Sequence, residues 1–242
     1  MLLTRLVKLN NFKAIFELIL PLSVIFGIFF LSAGLKSALV TSPEDYQQGN
    51  AVRIMYIHVP AAWMSLIIYS VMALSNISGF IWKNPFSYLL SRSIAGIGAI
   101  FTLITLITGA IWGKPIWGTW WVWDARLTSV LVLFFLYLSY IILLNAFDNK
   151  EKGEKIAALI SIVGFINIPI IKFSVEFWNS LHQPASILRL KGVAIDSSML
   201  KPLLLMFGFY VCYFICFALV RIKNELNINK INRLEIYDLR SH

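Results

Sequence analysis

Six apolar runs, each long enough to cross a bilayer as a helix, alternate with short polar stretches along the chain. They cover approximately residues 18–39, 59–82, 94–111, 127–147, 156–173 and 200–220. A hydrocarbon core of about 30 Å takes about 20 apolar residues in helical form. The pattern predicts an all-α membrane protein with six transmembrane helices, a single integral membrane domain over residues 1–242. It contains no internal repeat, no low-complexity segment and no separate soluble domain. Arg5, Lys8 and Lys13 precede the first run in the manner of a signal peptide. That run is longer than the roughly 7–15 residues of a cleaved signal core, so it reads as a retained span.

Composition agrees with the pattern. Hydrophobic residues make up 59% and charged residues 14%, against about 45–50% and about 25% in soluble proteins. The formal charge of +9 does not point to nucleic acid, because the basic residues flank the apolar runs. They read instead as topology signals at the lipid boundary. Six spans place both tails on one side. The tails and even loops hold 13 Lys and Arg, the odd loops 8. The positive-inside rule then puts both termini in the cytoplasm and the odd loops outside. His58, a Trp-rich segment and His182 all fall on those outward loops.

Other features exclude chemistry. No Asp, Glu, Lys or Arg sits mid-span, which argues against a proton- or ion-coupled carrier. Thr102, Thr105 and Thr108 lie along one side of span three, where hydroxyls usually bond the preceding turn. Cys212 and Cys216, four residues apart in the last run, read as buried packing rather than a disulfide. There is no Cys-x-x-Cys-His and no Gly-x-x-x-x-Gly-Lys-Ser/Thr, hence no covalent c-type haem attachment site and no P-loop.

Five of the eight tryptophans lie in the segment Trp112-Gly113-Lys114-Pro115-Ile116-Trp117-Gly118-Thr119-Trp120-Trp121-Val122-Trp123-Asp124. An interfacial aromatic belt scatters one or two Trp at each helix end; five in one short loop suggest a ligand platform. Gly113 and Gly118 permit close backbone approach and Pro115 stiffens the turn. Indole faces suit a flat macrocycle such as porphyrin. Asp124 precedes span four and reads as its N-cap, able to fix the loop against the helix. Lys114 and Arg126 bracket the platform. They read either as cations reaching the interface or as partners for haem propionates.

His58 sits in Tyr56-Ile57-His58-Val59-Pro60 and His182 in Leu181-His182-Gln183-Pro184; the third histidine, His242, is terminal. A lone interfacial His is usually a polar side chain reaching water. Two beside a Trp platform suggest axial ligands to a haem iron.

At these residues the chain resembles a known family. Trp112 to Asp124 is similar to the tryptophan-rich WWD signature of haem-handling proteins. Its extension Ala125-Arg126-Leu127-Thr128-Ser129 looks like the cytochrome c maturation protein C family of system I, also called haem exporter protein C. Asp45 to Asn50, Arg53 to Trp63, Asn167 to Ile171 and Ser174 to Gln183 are similar to its outer loops. Val130 departs from relatives with an acidic residue there, and residues 184–201 look little like the family. The resemblance implies that haem b, transiently bound, is presented outside the bacterial inner membrane to a periplasmic haem chaperone, cytochrome c maturation protein E. It implies axial ligation by His58 and His182. The implied partners are an ABC-type ATPase and its permease (the A and B components of the system), a small single-span protein (its D component) and membrane lipid. No independent catalytic activity is expected. The alternative is a transmembrane haem transporter, which would need a polar path where the spans offer Thr and Ser. A membrane cytochrome with permanent bis-His haem is a third reading, though its ligands usually lie within spans.

Overall fold

The structure, a computed structural model, describes residues 9–178, 180–183, 192 and 194–241. Arg5, Lys8, Arg189, Lys191, His242, Asn179 and half of the 184–201 stretch lie outside them. The described residues form α1 (Leu9–Lys36), α2 (Met55–Trp82), α3 (Pro85–Trp117), α4 (Ala125–Asn145), α5 (Lys150–Gly164), α6 (Asn167–Phe177) and α7 (Ser197–Ser241), with no strand among them. Six stretches of the described residues are long and apolar enough to cross a membrane, and the fifth combines α5 and α6. The chain is therefore a multi-pass membrane protein of the predicted class.

Local chemistry sets the helix boundaries. Asn84 caps α3 by accepting from Phe86 N, with Pro85 at the first helical position where no N–H is needed. Asn149 caps α5 through Lys152 N, and Asp124 caps α4 through Leu127 N at 2.7 Å. The predicted fifth span, 156–173, is not one helix. The chain turns at Phe165–Ile166, and Asn167, opening α6, donates through Nδ2 to Ser129 O on α4 at 2.8 Å. Pro169 fits in the first turn of α6 but has no N–H to carry α5 onward. The last helix extends far past the predicted 200–220. Its 45 residues span about 67 Å at about 1.5 Å per residue, roughly twice the hydrocarbon core.

Side chains of α2 through α7 build the core, centred on Met64, Ile68, Met72, Ile94, Phe101, Leu133 and Tyr137. α1 packs on α7 and leaves Ile25, Phe26, Ile28 and Phe29 exposed, a face suited to lipid. Close approach of α3 and α4 depends on Gly98, where a Cβ would run into the Tyr137 ring. The interior is more polar than the expected Thr and Ser. Asn76 donates to Ser161 Oγ at 2.7 Å, and Tyr137 donates to Ser65 O at 2.8 Å. These groups bond directly to one another, as buried polar atoms must, so they tie helices together. At the end opposite the tryptophans, Arg92 on α3 pairs with Glu154 on α5 and with Glu225 on α7.

Candidate functional site

The C-terminal end of α3 organises the site. The helix does not stop near residue 111 but continues through Trp117, so Trp112, Gly113, Lys114, Pro115 and Trp117 are helical. Only 118–124 connect to α4. The segment expected as a loop is therefore half helix. Pro115 removes one N–H from the ladder, but aromatic packing on both sides holds the turn. Gly113 is needed because a Cβ there would stand 2.9 Å from Trp117 Cε3. Gly118 ends the helix at φ 75°, a left-handed conformation that favours glycine. Its carbonyl accepts from Lys114 Nζ at 3.0 Å.

His58 lies in the first turn of α2, not in loop one, which ends in a short 3₁₀ turn at Asn50–Ile54. Its ring packs edge-on to Trp112 with centroids 5.6 Å apart. A Cβ at position 109 would come within 3.0 Å of His58 Cε1, so Gly109 leaves room for the ring. His58 Nδ1 is 3.0 Å from Thr108 Oγ1. Trp112 is fixed in turn by Gln48 of loop one, whose Oε1 accepts from Trp112 Nε1 at 3.0 Å.

His182 sits against the next turn of α3, with its ring 4.9 Å from that of Trp117. Asp124 Oδ2 accepts from Ser180 Oγ at 2.6 Å and lies 3.3 Å from His182 Nδ1. The Ser180 hydroxyl also accepts from His182 N at 3.1 Å. Burial pushes the Asp124 carboxyl up. The Ser180 hydroxyl, Leu127 N–H and His182 outweigh that and hold it below its ordinary value. Burial pushes His182 down, and the opposing pull of Asp124 only partly offsets it. At neutral pH the pair is thus an ionised carboxylate accepting from a neutral imidazole. Asp124 both starts α4 and holds His182, which the N-cap reading alone did not show.

Trp120 and Trp123 are 57% and 76% exposed, and Trp121 packs edge-on to Trp123 at 5.5 Å. Lys114 Nζ lies 5.9 Å over the Trp120 ring. Trp121 Nε1 is buried without a partner among the described residues, a donor aimed away from water. Arg126 is tied to α6: Nε donates to Ser174 Oγ at 3.2 Å and Nη2 to Lys172 O at 3.5 Å. Its guanidinium is therefore partly committed within the protein.

The candidate site residues singled out in the sequence thus gather at one end of the bundle, along the last turns of α3 and the start of α4. Gln48, Thr108, Gly109 and Ser180 join them. Thr108 carried a readable signal, since it lies one turn before Trp112 on the same helix face.

Among the described residues, no group of three or more His, Cys, Asp or Glu could hold a metal ion. The donor set suits a different centre. A porphyrin fills four iron positions itself and needs only one or two protein ligands. Two neutral imidazoles, exposed indole faces and a buried unpaired N–H donor fit such a group.

Known proteins resemble this chain over most of its length. The family described as Heme exporter protein C matches residues 2–236. Heme exporter protein C of Bradyrhizobium diazoefficiens is 42% identical over 237 residues, covering 98% of this chain and 89% of that protein. Heme exporter protein C of Haemophilus influenzae is 47% identical over 207 residues, covering 85% and 84%. A cytochrome c biosynthesis ccmC-like mitochondrial protein of Marchantia polymorpha is 51% identical over 180 residues, covering 74% and 76%.

Proposed function

Because the chain belongs to the heme exporter protein C family, we propose that it binds haem b transiently outside the bacterial inner membrane. There it presents the haem to a periplasmic haem chaperone of the cytochrome c maturation protein E type. One observation carries the reading. His58 and His182 each pack edge-on to a tryptophan of α3 and each has Nδ1 engaged. Each imidazole therefore keeps Nε2 for iron.

Haem would supply the reactive centre, and the protein supplies position. His58 and His182 would hold the iron. Trp112 and Trp117 hold the two imidazoles at set angles. Trp120 and Trp123 offer apolar faces to the macrocycle. The Trp121 indole N–H and the remaining Arg126 and Lys114 donors suit the propionates. Trp120 and Trp123 leave one side of the site open, as handing a ligand onward requires. Charge bias supports cytoplasmic termini and an outward site. An ABC-type ATPase, its permease and a small single-span protein complete the assembly, with lipid covering the exposed face of α1.

The alternative, a haem transporter, has less support. Asn76 Nδ2, Ser161 Oγ, the Tyr137 hydroxyl and the Ser65 carbonyl are engaged in helix-to-helix bonds. Transfer from haem-loaded protein to purified apo-chaperone tests the reading. Wild type should pass haem on, and Trp120→Ala with Trp123→Ala should slow transfer. Haem flux into liposomes containing this chain alone would favour the transporter instead.

A further inference from the structure

The two histidines are held by chemically different partners, and this difference has consequences for the iron. Thr108 Oγ1 lies 2.6 Å from the Ile104 carbonyl one turn back. A carbonyl cannot donate, so the single hydroxyl proton of Thr108 goes to Ile104 O. Toward His58 the hydroxyl oxygen can then only accept. The 3.0 Å contact is therefore Nδ1–H donating to Thr108, which fixes the tautomer with its lone pair on Nε2. His182 reaches the same tautomer by another route, because Asp124 as a carboxylate can only accept from Nδ1–H.

We propose that Thr108 is the positioning residue of the His58 ligand, and that its neutral hydroxyl makes His58 the more exchangeable of the two axial imidazoles. The proposal rests on the reading that both histidines bind haem iron. An acceptor behind Nδ1–H raises the basicity of the ligating nitrogen, and a carboxylate does so more than a hydroxyl. The bond from His182 to iron is then the stronger and that from His58 the weaker. Gly109 completes the arrangement: with no Cβ, it lets the His58 ring lie against α3 where the hydroxyl can reach it. A site that must give haem up needs one ligand that yields first, and the Thr108 pairing assigns that role to His58.

The test uses the purified full chain, haem titration followed by absorbance, and displacement of an axial ligand by cyanide. Thr108→Val keeps the shape and loses the hydroxyl acceptor at Nδ1, leaving the neutral Thr105 carbonyl as the ring's other partner. It should weaken haem binding about 10- to 100-fold, the usual range for a lost outer partner of a metal ligand. It should also raise the haem midpoint potential and speed cyanide displacement. Thr108→Ser keeps the hydroxyl and should behave as wild type. Thr105→Val loses the equivalent backbone bond to Phe101 O but keeps the Thr105 carbonyl that bonds the His58 ring, and should change none of these quantities. His58→Gly tests the underlying reading separately: the low-spin haem spectrum should be lost and restored by added imidazole. If His58→Gly behaves so while Thr108→Val matches wild type in affinity, potential and exchange, the role of Thr108 is overturned and the ligand assignment stands. If His58→Gly keeps the wild-type spectrum, the ligand assignment itself fails.

Discussion

Replacing Asp124 separates two jobs done by one carboxylate. Oδ1 accepts from Leu127 N at 2.7 Å and starts α4, while Oδ2 accepts from Ser180 and His182. The residue is 7% exposed, so water does not replace what is removed. Asparagine is as good an N-cap as aspartate. Asp124→Asn therefore keeps the helix start but has only one acceptor oxygen. With that oxygen on Leu127, its NH₂ group faces two other donors. Leaving a buried donor without an acceptor costs about 1–3 kcal/mol, and bonds to a charged acceptor sit at the upper end. Asp124→Ala loses the cap as well, a further cost of about 1 kcal/mol. Thermal unfolding of the detergent-solubilised protein should rank wild type above Asp124→Asn, and Asp124→Asn above Asp124→Ala. Haem affinity should fall in both variants, because His182 loses the partner that fixes its tautomer. If Asp124→Asn matches wild type in stability and haem affinity, and only Asp124→Ala is weakened, then Asp124 is a helix cap and nothing more.

Gly113→Ala should push Trp117 away from His182, since the new Cβ would meet the indole at 2.9 Å. We expect a stability loss of about 1–3 kcal/mol and reduced haem retention on gel filtration. The pH dependence follows from the lowered value of His182. Its stabilising neutral form is fully present above the unfolded value of about 6.5. That stability is lost as pH falls from there through the lower folded value. The melting temperature should therefore drop as pH is taken from 7.5 to 5, and less so in His182→Gln. Arg92→Ala removes the cation between Glu154 and Glu225 at the far end of the bundle. It should destabilise the protein by about 1–3 kcal/mol while haem affinity measured by titration stays unchanged.

Much of this architecture is written in local chemistry. Uninterrupted apolar runs bounded by basic residues define the spans, because lipid leaves few alternatives to a helix. The gathering of His58, the Trp segment and His182 follows from the parity of those spans. The break between α5 and α6 is less visible, since the apolar run over 156–173 looks continuous. Its sign is Asn167-Ile168-Pro169, a helix-start pattern inside an apolar stretch. What completes the break is tertiary, the Asn167 bond to Ser129 O. The helical half of the Trp segment is hidden because Gly113 and Pro115 both suggest a loop. Packing of Trp112 on His58 and of Trp117 on His182 overrides that suggestion. The partners Gln48 and Ser180 lie 64 and 56 residues from Trp112 and Asp124, respectively, and no local pattern links such positions.

On the proposed reading, one imidazole from α2 and one from the segment after α6 together hold iron beside the C-terminal end of α3. Absorbance spectroscopy of the purified protein, wild type beside His58→Ala and His182→Ala, tests it most directly. Wild type should show a low-spin haem spectrum, lost or converted to high spin in each variant, with all three proteins folded. An unchanged low-spin spectrum in both variants would contradict it.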